Sequence, residues 1–336
     1  MTNRQSSKWL HLAEQAEGLY IHNTRRLHHI SQQLASPQTQ LPSMIVFLGN
    51  KHKDTALRAL FPDNTILSRQ PYLQLDVDSR TTFAEHPMLF SHFDLNLELR
   101  NVRCDFDNCE NIQFSPHIVG RYRGFDILLN RTIFLFTDVI CIFADDIGGL
   151  DAVRALLTRW ALVGRNASSL DYRPRILIVL EPETGSITHE LLDESDFLFS
   201  LMQDRNISEV FATPVFHRLS GKPLSNVSQH CSLKDDLFKL TDFSRRDRRQ
   251  DCYLFSTTHM ATFFELSLHH TSQAPQVPLD FIRIDKGRPE ISQSHSYHLR
   301  NFLVLTKKRG WTTEAQAAII ASALLVDAYP PGSHSK

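Results

Sequence analysis

The chain has 336 residues, 42% of them hydrophobic and 22% charged, the composition of a folded protein with a sizeable core rather than a disordered one. Its 36 Lys and Arg against 37 Asp and Glu leave a formal net charge of -1, so no bulk field draws it to nucleic acid or anionic lipid. The most apolar stretches, 132–143 (interrupted by Asp138) and 318–326, fall short of the roughly 20 residues of a spanning helix, which excludes an integral membrane segment from the expectation.

Residues 1–42 are polar. Their pattern predicts a helix over 8–34, and Ser36-Pro37-Gln38-Thr39-Gln40-Leu41-Pro42 reads as a linker. The first residues lack the apolar core of a secretory signal, and a cytoplasmic protein is expected. Residues 43–49, Ser-Met-Ile-Val-Phe-Leu-Gly, read as a buried strand ending in glycine. A short amphipathic helix follows over 54–61, stopped by Pro62-Asp63-Asn64. Further strands are expected at 72–77, from Pro87, at 139–143, at 175–180 and at 210–216. Pro214 places the last of these near an edge or ends it. Residues 95–120 read as an excursion, and 127–136 are ambiguous between helix and strand. Helices are expected at 150–162 and 189–202, then at 233–243, 253–270, 295–305 and 314–327. Strands that are apolar throughout, alternating with helices, point to a parallel sheet covered on both faces. The expectation is therefore an α/β fold: a doubly wound, mostly parallel sheet over 43–228, P-loop NTPase-like in the position of its first loop. A polar N-terminal helix and linker (1–42) precede it, and a helical C-terminal region (229–330) follows.

The five cysteines have no metal-site spacing: Cys104 and Cys109 lack a second pair, and Cys141 sits in an apolar strand. A reducing compartment is the simplest reading. The seventeen histidines are scattered, without an HExxH pattern. The basic run Arg245-Arg246-Asp247-Arg248-Arg249 reads as a solvated helix face, so nucleic acid is not an expected partner.

The first candidate for chemistry is Gly49-Asn50-Lys51-His52-Lys53-Asp54-Thr55. Strand, glycine, basic loop and helix are the order in which backbone N–H groups cradle phosphate, with a lysine on the outer phosphates and a hydroxyl on magnesium. Gly49, Lys51, Lys53 and Thr55 are the candidate nucleotide contacts. The pattern is degenerate: counting from Gly49, Asp54 stands at the second glycine and Thr55 at the lysine. The competing reading is that Asp54 caps the helix while Lys51 and Lys53 are solvated. The second candidate is Asp145, placed after the strand 139–143 where a carboxylate meets hydrated magnesium. Asp146 or Asp151 read as caps of the helix after Gly148-Gly149. The third is Glu181-Pro182-Glu183, where a guanine-reading Asn-Lys-x-Asp segment is absent. Gly-x-Ser-x-Gly does not occur, and Ser256-Thr257-Thr258-His259 reads as a helix start.

Four stretches carry a family resemblance: 46–62, beginning Val-Phe-Leu-Gly-Asn-Lys-His-Lys-Asp-Thr, 136–150, beginning Phe-Thr-Asp-Val-Ile-Cys-Ile-Phe-Ala-Asp-Asp, then 278–283 and 322–332. Together they resemble the N-terminal region of filamentous-fungal patatin-like phospholipase proteins. The resemblance implies a GTPase-like or P-loop-like module placed before a Ser-Asp acyl hydrolase domain. The glycine-rich oxyanion segment, the serine elbow and the Asp-Gly aspartate of that domain have no counterpart here, so no residue inherits the lipase role. Beside an unrelated α/β enzyme whose site the motifs do not mark, two functions stay open. One is a non-catalytic regulatory or scaffold module with a degenerate nucleotide-binding fold, partnered by proteins or by a separate phospholipase domain. The other is a weak nucleotide-binding protein or NTPase that takes GTP or ATP with magnesium. The geometry of residues 48–56 separates them: converging N–H groups around an open bowl favour the second, and a side chain filling that space favours the first.

Overall fold

A strand buried on both faces has apolar side chains at odd and even positions alike, and this is what residues 43–48, 139–143 and 175–180 display. The computed structural model describes residues 7–94, 109–116, 121–168, 172–181, 187–219, 230–251, 253–281 and 293–328. It divides into two units, Met1–Leu279 and Asp280–Lys336. In the first, nine strands among the described residues form one sheet: β1 (Lys8–Gln15), β2 (Gly18–Asn23), β3 (Ser43–Leu48), β4 (Leu73–Val77), β5 (Met88–Phe93), β6 (Glu110–Gln113), β7 (Val139–Phe143), β8 (Arg175–Leu180) and β9 (Val215–Arg218). Their order is β6-β2-β1-β4-β5-β3-β7-β8-β9. From β5 to β9 all pairs are parallel, and β4, β1, β2 and β6 extend that core with antiparallel pairs.

The expected mixed α/β fold with a parallel central sheet is therefore present, and helices cover both faces. Ile45, Phe47, Val139, Cys141, Leu177 and Val179 share one core with Ala56, Leu57 and Leu60 of helix α2 (Lys51–Leu60) and with Leu233, Leu237 and Leu240 of helix α9 (Cys231–Gln250). Alternation along β3 turns Met44, Val46 and Leu48 to the other face, and all three are fully buried. The remaining helices of this unit are α1 (Arg26–Gln33), α3 (Arg121–Leu128), α4 (Phe134–Phe136), α5 (Ala144–Ile147), α6 (Leu150–Gly164), α7 (Ile187–Gln203), α8 (Arg205–Val210) and α10 (Thr257–Gln273). A π-helical turn, Leu129–Ile133, joins α3 to α4. Burial pushes the Cys141 thiol up, in keeping with a buried core residue. Ser256 Oγ accepts from the His259 N–H at 3.3 Å and so caps α10.

Two expectations are corrected. Residues 8–34 were expected as one helix, but they form the β1–β2 hairpin and only the short α1. Trp9, Leu10 and Ile21 are fully buried, Trp9 lies against Phe264 at 4.9 Å between ring centroids, and this tertiary burial outweighs the local helical spacing. The strand expected at 210–216 begins only at Val215, after the helix α8 and Pro214, and it does form the edge of the sheet. The helical region expected from residue 229 is present, and its first two helices, α9 and α10, belong to the sheet unit. The second unit holds α11 (Gln293–Lys308) and α12 (Thr313–Ala328). Within the excursion expected at 95–120, residues 110–113 form an edge strand on β2; residues 95–108 and 117–120 lie outside the described residues.

The lower end of the parallel core is pinned by a buried ion pair. Asp138 Oδ1 lies 2.9 Å from Arg248 Nε of α9, and Asp138 Oδ2 accepts the Met44 N–H at 2.8 Å. Arg248 donates to the Thr137 carbonyl at 3.2 Å and stacks 3.9 Å from the Tyr172 ring. One buried carboxylate thereby fixes β3, β7 and α9 together. R248L strands that carboxylate without its cation, and stability is expected to fall by about 3–5 kcal/mol. Urea unfolding measures the loss; a midpoint like that of the parent chain contradicts it.

Candidate functional site

In the parallel core β3 lies between β5 and β7. The chain passes from β3 to β5 on one side and then crosses to β7 on the other. The carboxyl ends of β3 and β7 therefore flank a topological switch point, where open α/β sheets form their ligand crevices.

Only Gly49 and Asn50 separate β3 from α2, because the helix begins at Lys51, three residues before the expected start. A two-residue turn from strand to helix is shorter than the glycine-rich loop of a phosphate-binding pattern. The turn also leaves the first N–H groups of α2 without partners inside the helix. They are satisfied from a distance of more than 90 residues. Asp146 Oδ2 accepts from Asn50 N at 2.6 Å and from Lys53 N at 3.0 Å, and Asp146 Oδ1 accepts from His52 N at 3.1 Å. The Asp146 side chain is only 4% exposed. It occupies the anion position of the helix N-terminus, where N–H groups and the helix dipole favour negative charge.

Gly49 makes this approach possible. Its φ is +152°, and a Cβ added there lies 2.7 Å from Asp146 Oδ2 and 3.0 Å from Phe143 Cβ. The glycine expected to curl around a ligand instead makes room for a carboxylate of the same chain. Asp54 does not cap α2; it is buried in the first turn, its Oδ1 3.3 Å from Lys53 Nζ. Asp146, read from sequence as a cap of the helix after Gly148-Gly149, caps α2, while Gly149 stands at the start of α6 with no side-chain cap.

The other candidate residues are dispersed. Lys51 and Thr55 are exposed on α2, and Thr55 Oγ1 donates to the Lys51 carbonyl at 3.0 Å. Lys53 is buried, 1% exposed, and its ammonium pairs with Asp94 at the end of β5 as well as with Asp54. Asp145 is exposed, and its Oδ2 accepts the Glu181 N–H at 2.8 Å. His52 bridges two acids, with Nδ1 3.1 Å from Asp146 Oδ1 and Nε2 3.2 Å from Glu181 Oε1. Glu183 lies outside the described residues. Among the described residues no group of three or more His, Cys, Asp and Glu side chains is arranged to hold a metal ion. Sequence reasoning missed Asp94 and His92 altogether and gave Asp146 to the wrong helix.

His92 lies on β5 beneath Lys53. Burial, aided by the Lys53 charge, pushes its imidazole down to about 3 from an ordinary value of 6.5. Between these values the unfolded chain binds a proton that the folded chain refuses, so this contribution to stability is whole above 6.5 and declines as the pH falls toward about 3. H92N is expected to flatten the acid limb of a stability profile followed by urea midpoints, and an unchanged limb contradicts the assignment.

Asp146 supplies charge-assisted hydrogen bonds to three amides. D146N is expected to cost about 2 kcal/mol. G49A forces a side chain into a positive-φ position against a carboxylate and is expected to cost ~1–3 kcal/mol. Thermal and urea unfolding of both variants checks these values; parent-like stability in either contradicts the geometry. Neither models of known protein families nor curated proteins match this chain.

Proposed function

We propose that this chain is a non-catalytic regulatory or scaffold module on a degenerate nucleotide-binding frame, its phosphate position filled from within by Asp146. The observation that carries this reading is the Asp146 carboxylate accepting the amides of Asn50, His52 and Lys53 at the switch point of the sheet. A phosphate and this carboxylate compete for the same three donors. A phosphate arriving there also meets like charge from Asp146. The buried Lys53, the cation best placed to meet a phosphate, is committed to Asp94 and Asp54. Separating it from them leaves buried charges unpaired, which is costly.

The reading agrees with the resemblance to the region before a patatin-like phospholipase domain. On that reading the chain acts through protein contacts, either with separate partners or with a phospholipase domain, and acyl hydrolysis belongs to the latter. Calorimetric titration with GTP and with ATP, each with magnesium, is expected to give no heat of binding. D146A frees the three amides, so inorganic phosphate or sulfate is expected to raise the melting temperature of D146A and leave the parent chain unmoved. Magnesium-dependent binding of either nucleotide by the parent chain sinks the proposal and favours a weak nucleotide-binding protein.

A further inference from the structure

The second unit carries an apolar surface of unusual shape. α11 ends at Lys308 and is closed by Gly310, whose φ is +77°, and the Trp311 N–H returns to the Thr306 carbonyl at 3.1 Å. Gln316 of α12 donates to Thr306 Oγ1 at 2.8 Å, and the Phe302 and Trp311 rings meet at 6.3 Å between centroids. The junction is therefore a built turn. It presents three consecutive cations, Lys307, Lys308 and Arg309, beside a half-exposed Trp311.

Leu303, Val304 and Leu305, the three residues before Thr306, are all exposed. Consecutive helical residues are about 100° apart, so these three look outward over more than half of the circumference. A protein groove receives one stripe of a helix, and three successive positions are wider than one stripe. Tyr297, Leu299 and Ile319 are exposed as well. Residues 315–326 carry no charged side chain, a length of about 18 Å as a helix. The hydrocarbon core of a bilayer is about 30 Å thick. Among the described residues no helix is long and apolar enough to cross a membrane. Too short to span, the uncharged stretch of α12 beside the exposed apolar residues of α11 fits the plane of a lipid interface. Aromatic rings and lysines settle at the headgroup level there.

We infer that α11, the Lys307-Lys308-Arg309-Gly310-Trp311 turn and α12 form a docking surface for an anionic lipid membrane. The near-zero net charge of the whole chain confines the attraction to this local patch, where three adjacent cations match anionic headgroups.

Tryptophan reports on the surface directly. Of the three tryptophans, Trp9 and Trp160 are fully buried and Trp311 is exposed. The test adds vesicles of phosphatidylcholine, with or without phosphatidylserine, to the full chain, and follows emission together with flotation. Phosphatidylserine vesicles are expected to shift the emission to the blue and carry the chain to the top of the gradient. W311F removes the shift but keeps substantial flotation. K307Q/K308Q/R309Q changes only exposed side chains and is expected to weaken partitioning about a hundredfold. Absence of flotation with phosphatidylserine overturns the inference, as does equal binding to both vesicles with no effect of the triple substitution. A blue-shifted Trp311 that tracks self-association in solution without vesicles also overturns it, in favour of a second copy. Salt-sensitive binding to polyglutamate without vesicle binding overturns it in favour of an acidic protein surface.

Discussion

A helix that starts immediately after a buried strand brings its unpaired amides into the interior with it. At the start of α2 those amides belong to Asn50, His52 and Lys53, in partly buried positions. Burying them without partners is unfavourable. The carboxylate of Asp146 resolves this, accepting all three at 2.6–3.1 Å. The remaining features of the site follow from that contact. The strand-to-helix turn is as short as Gly49-Asn50, which sets the first amides of α2 directly against the Asp146 carboxylate. Gly49 is glycine because a side chain there collides with the carboxylate. His52 stands between Asp146 and Glu181 and ties the end of β8 to the same anchor.

Beneath this anchor lies a second buried set, Lys53 with Asp94 and Asp54, and His92 beside them. Charges at this depth are tolerated when paired. The lysine that a phosphate site would hold ready is used to join the first turn of α2 to the end of β5. Anchor and ion cluster together tie the first turn of α2 to the carboxyl ends of β5 and β7. The opposite end is held in the same manner by Asp138 and Arg248. Buried aspartates thus hold both ends of β7 against its neighbours.

The parallel core was legible because 44–48, 139–143 and 176–180 are apolar at every turn of the pleat, the pattern of a doubly covered strand. The N-terminal hairpin was not. In Lys8-Trp9-Leu10-His11-Leu12-Ala13-Glu14-Gln15 the polar residues fall at spacings that suit a helix, and only burial of Trp9 against Phe264 makes it a strand. The short closing turn before Gly18 was the available cue. At the site, the eroded glycine pattern and the position of Lys53 were visible. Asp146 was visible only as a local cap. Its true partners are more than 90 residues away, and they are brought within reach by the parallel register of Leu48 with Ile142. A single sequence contains no signal for that pairing until the strand order is known.

The most direct measurement is a crystal structure grown with excess GTP and magnesium. The account requires the Asp146 carboxylate to remain on the amides of Asn50, His52 and Lys53, with Lys53 still paired to Asp94. Phosphate density against Gly49 and the first turn of α2, with Asp146 displaced, contradicts it.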